Sequence, residues 1–218
     1  MPGPRTLLLD LDGTLVDSVP DLAASLARLF AARGLAPLPP VEVAAMVGDG
    51  VRKLLDRAFA ARGGAPDERD LGDYMADYGA HLADATRPYP GAAAALGGLR
   101  AAGWRLAVCT NKPEAMARGV LTATGLMPLI DAVGGGDSFP VRKPDPEHLR
   151  ATLSRAGGEA ARAVMAGDHR NDIVAARGAD IPVIFAAWGY GPPAMAEGAD
   201  AIARDFADLA SIAARLCP

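Results

Sequence analysis

The sequence contains little cysteine, histidine or lysine. It has 2 cysteines, 3 histidines and, among 22 basic residues, lysine only at positions 53, 112 and 143. Cys109 and Cys217 are too few for a disulfide framework or a cysteine metal cluster. The scattered histidines offer no catalytic triad. Because arginine supplies most of the positive charge, each lysine is a candidate for a specific role.

Long apolar runs and an excess of positive charge are also missing. No apolar stretch approaches the roughly 18 residues that would span a bilayer, and the segment MPGPRTLLLDLD lacks the pattern of a signal peptide. The net charge of −4 gives no general attraction to nucleic acid or to an anionic membrane. The chain has 218 residues, of which 50% are hydrophobic, so it can bury a sizeable core. We expect a cytoplasmic protein with a small-molecule partner, not nucleic acid or a membrane, and of unspecified oligomeric state.

Apolar runs alternate with helical periodicities along most of the chain. Strands are predicted at 5–9, 104–110, 163–168 and 182–187, and helices at 113–124, 146–156, 170–178 and 205–216. This alternation indicates an α/β fold, a Rossmann-like parallel sheet with helices on both faces.

Residues 17–86 show helical spacing alone, which predicts a small bundle. Ser18, with Pro20 and Asp21 in the first turn, indicates the start of its first helix, and Gly34 indicates the end. The strand at 5–9 has no obvious partner in this bundle. We therefore expect a helical block at 17–86 to interrupt an α/β core formed by residues 1–16 and 87–218.

Polar residues follow the predicted strands, where ligands bind in open parallel sheets. The strand ends carry the carboxylates of Asp10, Asp12 and Asp168, the hydroxyl of Thr110 and the amide of Asn111. Asp172 lies in the first turn of the helix after Asp168, and a loop carries the ammonium of Lys143. Several carboxylates in one pocket raise one another's pKa values unless a cation neutralises them. Mg²⁺ does so with one or two carboxylates, water and phosphate oxygens. The hydroxyl, amide and ammonium groups suit a phosphate.

The spacing of Asp10 and Asp12 favours phosphoryl transfer. Residues two apart in an extended segment project the same way. One carboxylate can attack phosphorus, and the other can protonate the leaving oxygen and later activate water. Gly13 lets the chain leave the strand through a turn that residues with a Cβ adopt poorly. The sequence has neither a GxxxxGK[ST] loop nor a GxSxG elbow, which disfavours the corresponding nucleotide and serine hydrolases.

The segment DLDGT at 10–14 resembles the first motif of the haloacid dehalogenase superfamily of phosphotransferases, and the resemblance extends over the whole chain. It implies that Asp10 is the nucleophile. It also implies that Asp12 is the acid/base and offers its backbone carbonyl to the metal. Thr110 resembles the second motif and Lys143 the third.

The segment GDHRND at 167–172 resembles the fourth motif. The resemblance implies that Asp168 is a Mg²⁺ ligand and that Asp172 binds the metal directly or through water. The helical block at 17–86 is similar to the cap that closes over substrate in one subclass of the superfamily.

Within the superfamily, four segments resemble bacterial phosphoglycolate phosphatases: VGDGVRKLL (47–55), RPYPG (87–91), LAVCTNKP (106–113) and KPDP (143–146). The resemblance implies Mg²⁺-dependent hydrolysis of 2-phosphoglycolate to glycolate and phosphate through an aspartyl-phosphate. Similar caps serve different esters, so a sugar phosphomutase and a nucleotide or pyrophosphate hydrolase stay open. A dehalogenase is disfavoured because Asp12 would have no leaving oxygen to protonate.

The substrate carboxylate needs a cation, for which Arg52 and Lys53 are candidates. Neighbours on a helix point about 100° apart, and we favour Arg52 because arginine pairs bidentately with carboxylates. Lys112 stays open between the pocket rim and a solvated face, and His148 is expected to face solvent. The WGYG segment at 188–191 either walls the pocket or packs on the core.

Two further alternatives depend on single residues. A phosphonate hydrolase of the superfamily would need a cap lysine that forms a Schiff base, and Lys53 is the candidate. A protein of another class, a non-catalytic phosphoacceptor switch, also uses Asp and Mg²⁺ on a parallel sheet. The helical block and the second acid, Asp12, argue against such a switch.

Overall fold

The computed structural model describes residues 3–217. Their helices and strands, in chain order, are β1 (Thr6–Leu9), β2 (Val16–Asp17), α1 (Val19–Ala32), α2 (Pro40–Ala44), α3 (Val51–Ala60), α4 (Glu68–Ala80), β3 (Arg87–Pro88), α5 (Ala92–Ala101), β4 (Arg105–Cys109), α6 (Glu114–Ala123), β5 (Ala132–Gly134), α7 (Pro146–Arg155), β6 (Ala163–Gly167), α8 (Arg170–Gly178), β7 (Val183–Ala186), β8 (Ala201–Ala203) and α9 (Phe206–Leu216). Within this range, no helix is long and apolar enough to cross a membrane.

A parallel sheet of six strands forms the centre of the α/β part, in the order β5-β4-β1-β6-β7-β8. The first strand lies in the middle: Leu7 is in register with Leu106 of β4 and with Val164 of β6. Residues 7–9 are completely buried, as expected for a strand covered on both faces. The strand therefore joins the later sheet across the helical block, and the predicted fold class is confirmed.

Alternate residues of β1 pack into two separate hydrophobic clusters. Leu7 and Leu9 pack with side chains of α5, α6 and α9 on one face of the sheet. Leu8 packs with α7 and α8 on the other. Because successive side chains of a strand point to opposite faces, one short apolar run anchors helices on both sides.

Helices α1 to α4 share a third hydrophobic cluster, whose largest buried side chains include Phe30, Phe59, Tyr74 and Tyr78. The two chain crossings between this block and the sheet run side by side, since β2 and β3 pair antiparallel. The division into a core of 1–16 and 87–218 and a cap of 17–86 stays a prediction.

The structure adds elements that the sequence pattern did not predict, among them α5 and the short strands β2, β3, β5 and β8. It also corrects one detail. Helix α1 begins directly after Ser18, as predicted, but the Ser18 side chain makes no capping hydrogen bond. Its hydroxyl donates instead to Asp12 Oδ1 at 2.6 Å.

Candidate active site

The carboxyl ends of the central strands bring three acids together. Asp10 follows β1, Asp168 follows β6, and Asp172 lies in the first turn of α8. One carboxylate oxygen of each lies within 4.8 Å of the others, and all three residues are buried. These are three of the predicted metal ligands.

The ammonium of Lys143 lies among these acids. Its Nζ is 2.6 Å from Asp172 Oδ1 and 3.0 Å from Asp10 Oδ1, and the side chain is 1% exposed. Burial alone would lower the pKa of Lys143, but the charges of Asp10 and Asp172 outweigh it and raise the pKa above its ordinary value. Lys143 is therefore a permanent buried cation beside Asp10.

Asp168 is buried beside the two acids that Lys143 contacts. Burial, followed by the charges of Asp10 and Asp172, raises the pKa of Asp168 to about 7. Hydrogen bonds from Thr14 Oγ1 at 2.7 Å and from the backbone N–H of Tyr190 at 2.8 Å act in the opposite direction. Burial also raises the pKa of Asp172, although Lys143 opposes it.

This donor set fits a hard divalent cation. Three buried carboxylates against one ammonium leave excess negative charge, and Mg²⁺ prefers carboxylate oxygens. Gly13 has φ +86°, and a Cβ there would lie 2.3 Å from Asp168 Oδ2, so the turn after β1 closely approaches the acid. The carboxylate of Asp12 lies outside the group of three, and its backbone carbonyl as a ligand stays a prediction.

Asp10 and Asp12 line the same pocket, together with Thr110, Asn111, Lys112 and residues of the helical block: Leu22, Val47, Gly48, Gly50, Val51, Leu54 and Tyr78. The two acids differ in their partners. Asp10 contacts Lys143, whereas Asp12 accepts from Ser18 Oγ and from Lys112 Nζ at 3.0 Å. The pair of carboxylates thus faces one cavity, with a different lysine at each acid.

Lys112 is buried in this pocket and does not face solvent. Its side chain is 3% exposed, and its Nζ lies 2.6 Å from the hydroxyl of Tyr78 on α4. Burial lowers the pKa of Lys112, but Asp12 and Tyr78 outweigh it, and the pKa is raised overall. The structure decides the alternative that the sequence left open.

The structure does not bring Arg52 into the pocket. Helix α3 faces the cavity with Val51 and Leu54, and Arg52 projects from a different side. Its guanidinium makes two hydrogen bonds of 2.9 Å to Glu68 on α4, and its side chain is half exposed. Lys53 is exposed as well, 3.8 Å from Asp56. Arg52 and Lys53 both lie outside the set of pocket-lining residues, and the contact of Arg52 with substrate stays a prediction.

The amide of Asn111 connects the helical block to the loop that carries Lys143. Its Nδ2 donates to Gly48 O at 2.9 Å and to Lys143 O at 3.0 Å. Within residues 3–217, its buried Oδ1 has no hydrogen-bond partner. Nearby, Asn171 Nδ2 donates to Asp49 Oδ1 at 2.6 Å. The loop before α3 is thus held against the sheet end by two asparagines.

The expectation that His148 faces solvent is wrong. His148 is completely buried at the start of α7. Its Nδ1 accepts from the backbone N–H of Lys143 at 3.2 Å, and its Nε2 donates to Gly135 O at 3.0 Å. Burial, followed by the charge of Lys143, lowers the pKa of His148 to about 4. The neutral imidazole positions the loop that carries Lys143.

The WGYG segment packs on the core and also reaches the site. Trp188 stacks against Phe206, with ring centroids 4.8 Å apart. The Tyr190 hydroxyl donates to Asp17 at 2.8 Å and accepts from the backbone N–H of Ser18 at 2.7 Å. Sequence reasoning missed the roles of Tyr190, Thr14 and Tyr78, since nothing in their spacing indicates these long-range contacts.

The comparison with known families agrees with this geometry. The sequence model of the haloacid dehalogenase-like hydrolases matches residues 4–180. The chain belongs to this family. The superfamily predicted from DLDGT and GDHRND is thereby confirmed.

Individual relatives of this haloacid dehalogenase-like hydrolase cover nearly all of it. The phosphoglycolate phosphatase of Rhodospirillum rubrum is 44% identical over 94% of this chain and 89% of its own length. That of Caulobacter vibrioides is 41% identical over 94% and 88%. The crystal structure of a predicted phosphoglycolate phosphatase from Haemophilus somnus is 32% identical, with a TM-score of 0.88 over 97% of this chain and 99% of that one. The prediction of an enzyme, a phosphatase, is confirmed.

Proposed function

We propose that this protein is a cytoplasmic, Mg²⁺-dependent phosphatase that converts 2-phosphoglycolate to glycolate and phosphate. The observation that carries the proposal is the pocket in which Asp10 and Asp12 lie side by side, each contacted by its own buried lysine. The names of the Rhodospirillum rubrum and Caulobacter vibrioides relatives support the substrate.

In the first half-reaction, a carboxylate oxygen of Asp10 attacks phosphorus opposite the leaving oxygen. The new bond joins Asp10 to the phosphoryl group, and the bond from phosphorus to the glycolate oxygen breaks. Asp12 gives its proton to that oxygen, so that glycolate leaves as an alcohol. Lys143 and the Thr110 hydroxyl stabilise the negative charge on the phosphoryl oxygens.

In the second half-reaction, the deprotonated Asp12 takes a proton from water. The water oxygen attacks phosphorus, the bond to Asp10 breaks, and phosphate leaves. Asp12 is protonated again, and Asp10 is again a carboxylate, so the cycle closes without a further reactant. A Mg²⁺ ion held by Asp10, Asp168 and Asp172 would compensate the charge of the phosphoryl oxygens.

The deciding experiment is phosphate release from a panel of esters, with Mg²⁺ and then with a chelator. The panel contains 2-phosphoglycolate, glucose phosphates, nucleoside monophosphates, pyrophosphate and an aryl phosphate. We expect a Mg²⁺-dependent preference for 2-phosphoglycolate that Asp10→Asn reduces to background. The exposed Asp73 on α4 gives a matched control, because Asp73→Asn changes an equal charge outside the pocket.

The other outcomes separate the alternatives. A preference for a sugar phosphate, a nucleotide or pyrophosphate would contradict the substrate and leave the mechanism in place. A stable phosphorylated Asp10 without turnover, detected by mass spectrometry, would identify a phosphoacceptor switch and contradict the enzymatic proposal.

A further inference from the structure

The substrate proposed above carries two anionic groups, and its binding pocket must compensate both. The phosphoryl group reacts at Asp10, where Lys143 supplies positive charge. The carboxylate lies on the other side of the scissile oxygen, separated from it by one methylene. It therefore needs a second cation beyond the leaving oxygen.

The position of that cation follows from Asp12. If Asp12 protonates the leaving oxygen, the carboxylate of the leaving group must lie close to Asp12. Asp12 already contacts an ammonium, since Lys112 Nζ is 3.0 Å from its Oδ1 and 3.1 Å from its Oδ2. Among the pocket-lining residues within 3–217, Lys112 is the one that carries positive charge.

We propose that Lys112 binds the substrate carboxylate and determines the preference for carboxylate-bearing esters. This inference rests on the proposed function and replaces the expected role of Arg52. An ammonium has three N–H donors, and Lys112 directs them at the two Asp12 oxygens and the Tyr78 hydroxyl. A substrate carboxylate replaces one of the two Asp12 oxygens as the acceptor of a Lys112 N–H, and the bond to Tyr78 keeps the ammonium in place.

The surroundings of Lys112 make this contact strong and specific. The side chain is 3% exposed, so water does not screen its charge. The Tyr78 ring centroid lies 4.6 Å from Nζ, which fixes the ammonium between the helical block and the sheet. The rest of the pocket wall on that side is apolar, formed by Leu22, Val51 and Leu54. An anionic leaving group without Lys112 would face Asp12 and hydrocarbon.

The test compares 2-phosphoglycolate with its methyl ester, which has nearly the same shape and lacks the carboxylate charge. We measure kcat/KM for both substrates with the wild type, Lys112→Gln, Arg52→Gln and Lys53→Gln. A hydrogen bond between buried charged groups contributes enough for a wild-type preference of about 100-fold for the acid. Lys112→Gln should reduce this ratio to within a few-fold of one.

The exposed lysine and arginine serve as matched comparisons. Lys53→Gln removes the same charge from a surface position and should leave the ratio unchanged, as should Arg52→Gln. The inference is overturned if Lys112→Gln keeps the wild-type ratio, or if Arg52→Gln abolishes it.

A second variant covers the case in which Lys112→Gln does not fold, as judged by circular dichroism. Tyr78→Phe removes one hydroxyl, keeps the ring and should lower the ratio several-fold by releasing the ammonium. An unchanged ratio in Tyr78→Phe then contradicts the inference. If the wild type hydrolyses both substrates equally, it has no preference for the carboxylate and the inference is overturned, whereas the proposed function fails only if the panel of esters shows no preference for 2-phosphoglycolate. If the wild type prefers the acid and the variants of Lys112 and Tyr78 keep the same ratio of kcat/KM, the proposed function stands and the proposed role of Lys112 is wrong.

Discussion

The buried imidazole of His148 accepts a hydrogen bond from the backbone N–H of Lys143, with 3.2 Å between the nitrogens. The acceptor must be an unprotonated Nδ1, because Nε2 donates to Gly135 O. Protonation of His148 would therefore put a proton on Nδ1, facing the backbone N–H of Lys143. It would also place a second positive charge near the Lys143 ammonium. The position of the loop that carries Lys143 therefore depends on a neutral histidine.

We expect this histidine to make the fold acid-sensitive. Its pKa is about 4 in the folded protein and about 6.5 in an unfolded chain. Between these values the unfolded state binds more protons, so stability falls as the pH drops from about 6.5 to about 4, by up to about 3 kcal/mol. Urea unfolding at several pH values measures this slope.

Replacement of the histidine should reduce the slope. His148→Gln loses stability at pH 7 because buried groups lose their partners, but it should lose about 3 kcal/mol less on acidification than the wild type does. The half-exposed His81 provides the control, and His81→Gln should keep the wild-type slope. Equal slopes for wild type and His148→Gln would contradict the prediction.

A methyl group at Gly13 should displace Asp168. Gly13→Ala places a Cβ 2.3 Å from Asp168 Oδ2 at a φ of +86°, and we expect phosphatase activity to fall by about 100-fold or more, as for a misplaced catalytic group. Gly34→Ala is the matched control, because Gly34 has φ +65° with nothing within 4 Å of the added Cβ. It should cost about 1 kcal/mol of stability and retain activity. Similar activities of the two variants would refute the close approach.

Removal of the buried ammonium at the acids should destabilise the protein in a metal-dependent way. Lys143→Met leaves Asp10, Asp168 and Asp172 without their cation, and we expect a loss of about 3 kcal/mol in chelator at pH 7. Mg²⁺ should recover more stability in this variant than in the wild type. Lys53→Met, at an exposed pair, should stay within about 0.5 kcal/mol of the wild type. A Lys143→Met protein as stable as wild type in chelator would exclude this charge balance.

The hydroxyl of Tyr190 should stabilise the start of α1. It accepts from the backbone N–H groups of Ser18 and Val19 and donates to Asp17. Tyr190→Phe removes the acceptor of the Ser18 N–H and a donor to Asp17, and leaves the Val19 N–H with its bond of 3.3 Å to Asp17 Oδ1. This change should cost about 1 to 3 kcal/mol. Tyr74→Phe removes one longer bond, of 3.3 Å to Leu22 O, and should cost less. Thermal unfolding of both variants compares them, and a smaller cost for Tyr190→Phe would count against the prediction.

The sequence predicted those parts of the fold that follow from local pattern. LLL at 7–9 and VMA at 164–166 are short apolar runs of the kind that is typical of a strand covered on both faces. The helix α5 was not predicted, because its sequence, AAAALGGLRA, has two glycines and little contrast between polar and apolar faces. The strands β5 and β8 have three residues each, too few for a period to show.

Some residues of the candidate site could likewise be predicted from the sequence, and others could not. Asp10, Thr110 and Asp168 follow predicted strands, and parallel strands end at one edge, so the sequence was enough to bring them together. Lys143 lies in a loop, and its place beside them was expected from the resemblance of its segment to the third motif. The cation for the substrate carboxylate was not predictable. Arg52 and Lys112 both neighbour pocket residues in the sequence, but whether each charge faces the cavity depends on Glu68 and Tyr78 of α4. Such partners are known only once the helices have packed.

The paired strands β2 and β3 hold together the two ends of the segment between residues 17 and 87. The segment between residues 17 and 87 leaves and returns through neighbours that are already hydrogen-bonded, Asp17 opposite Arg87. Deleting or exchanging the segment would therefore require almost no new loop closure, because the ends already meet. The strands of the central sheet would therefore stay as they are if a different segment were joined at residues 17 and 87.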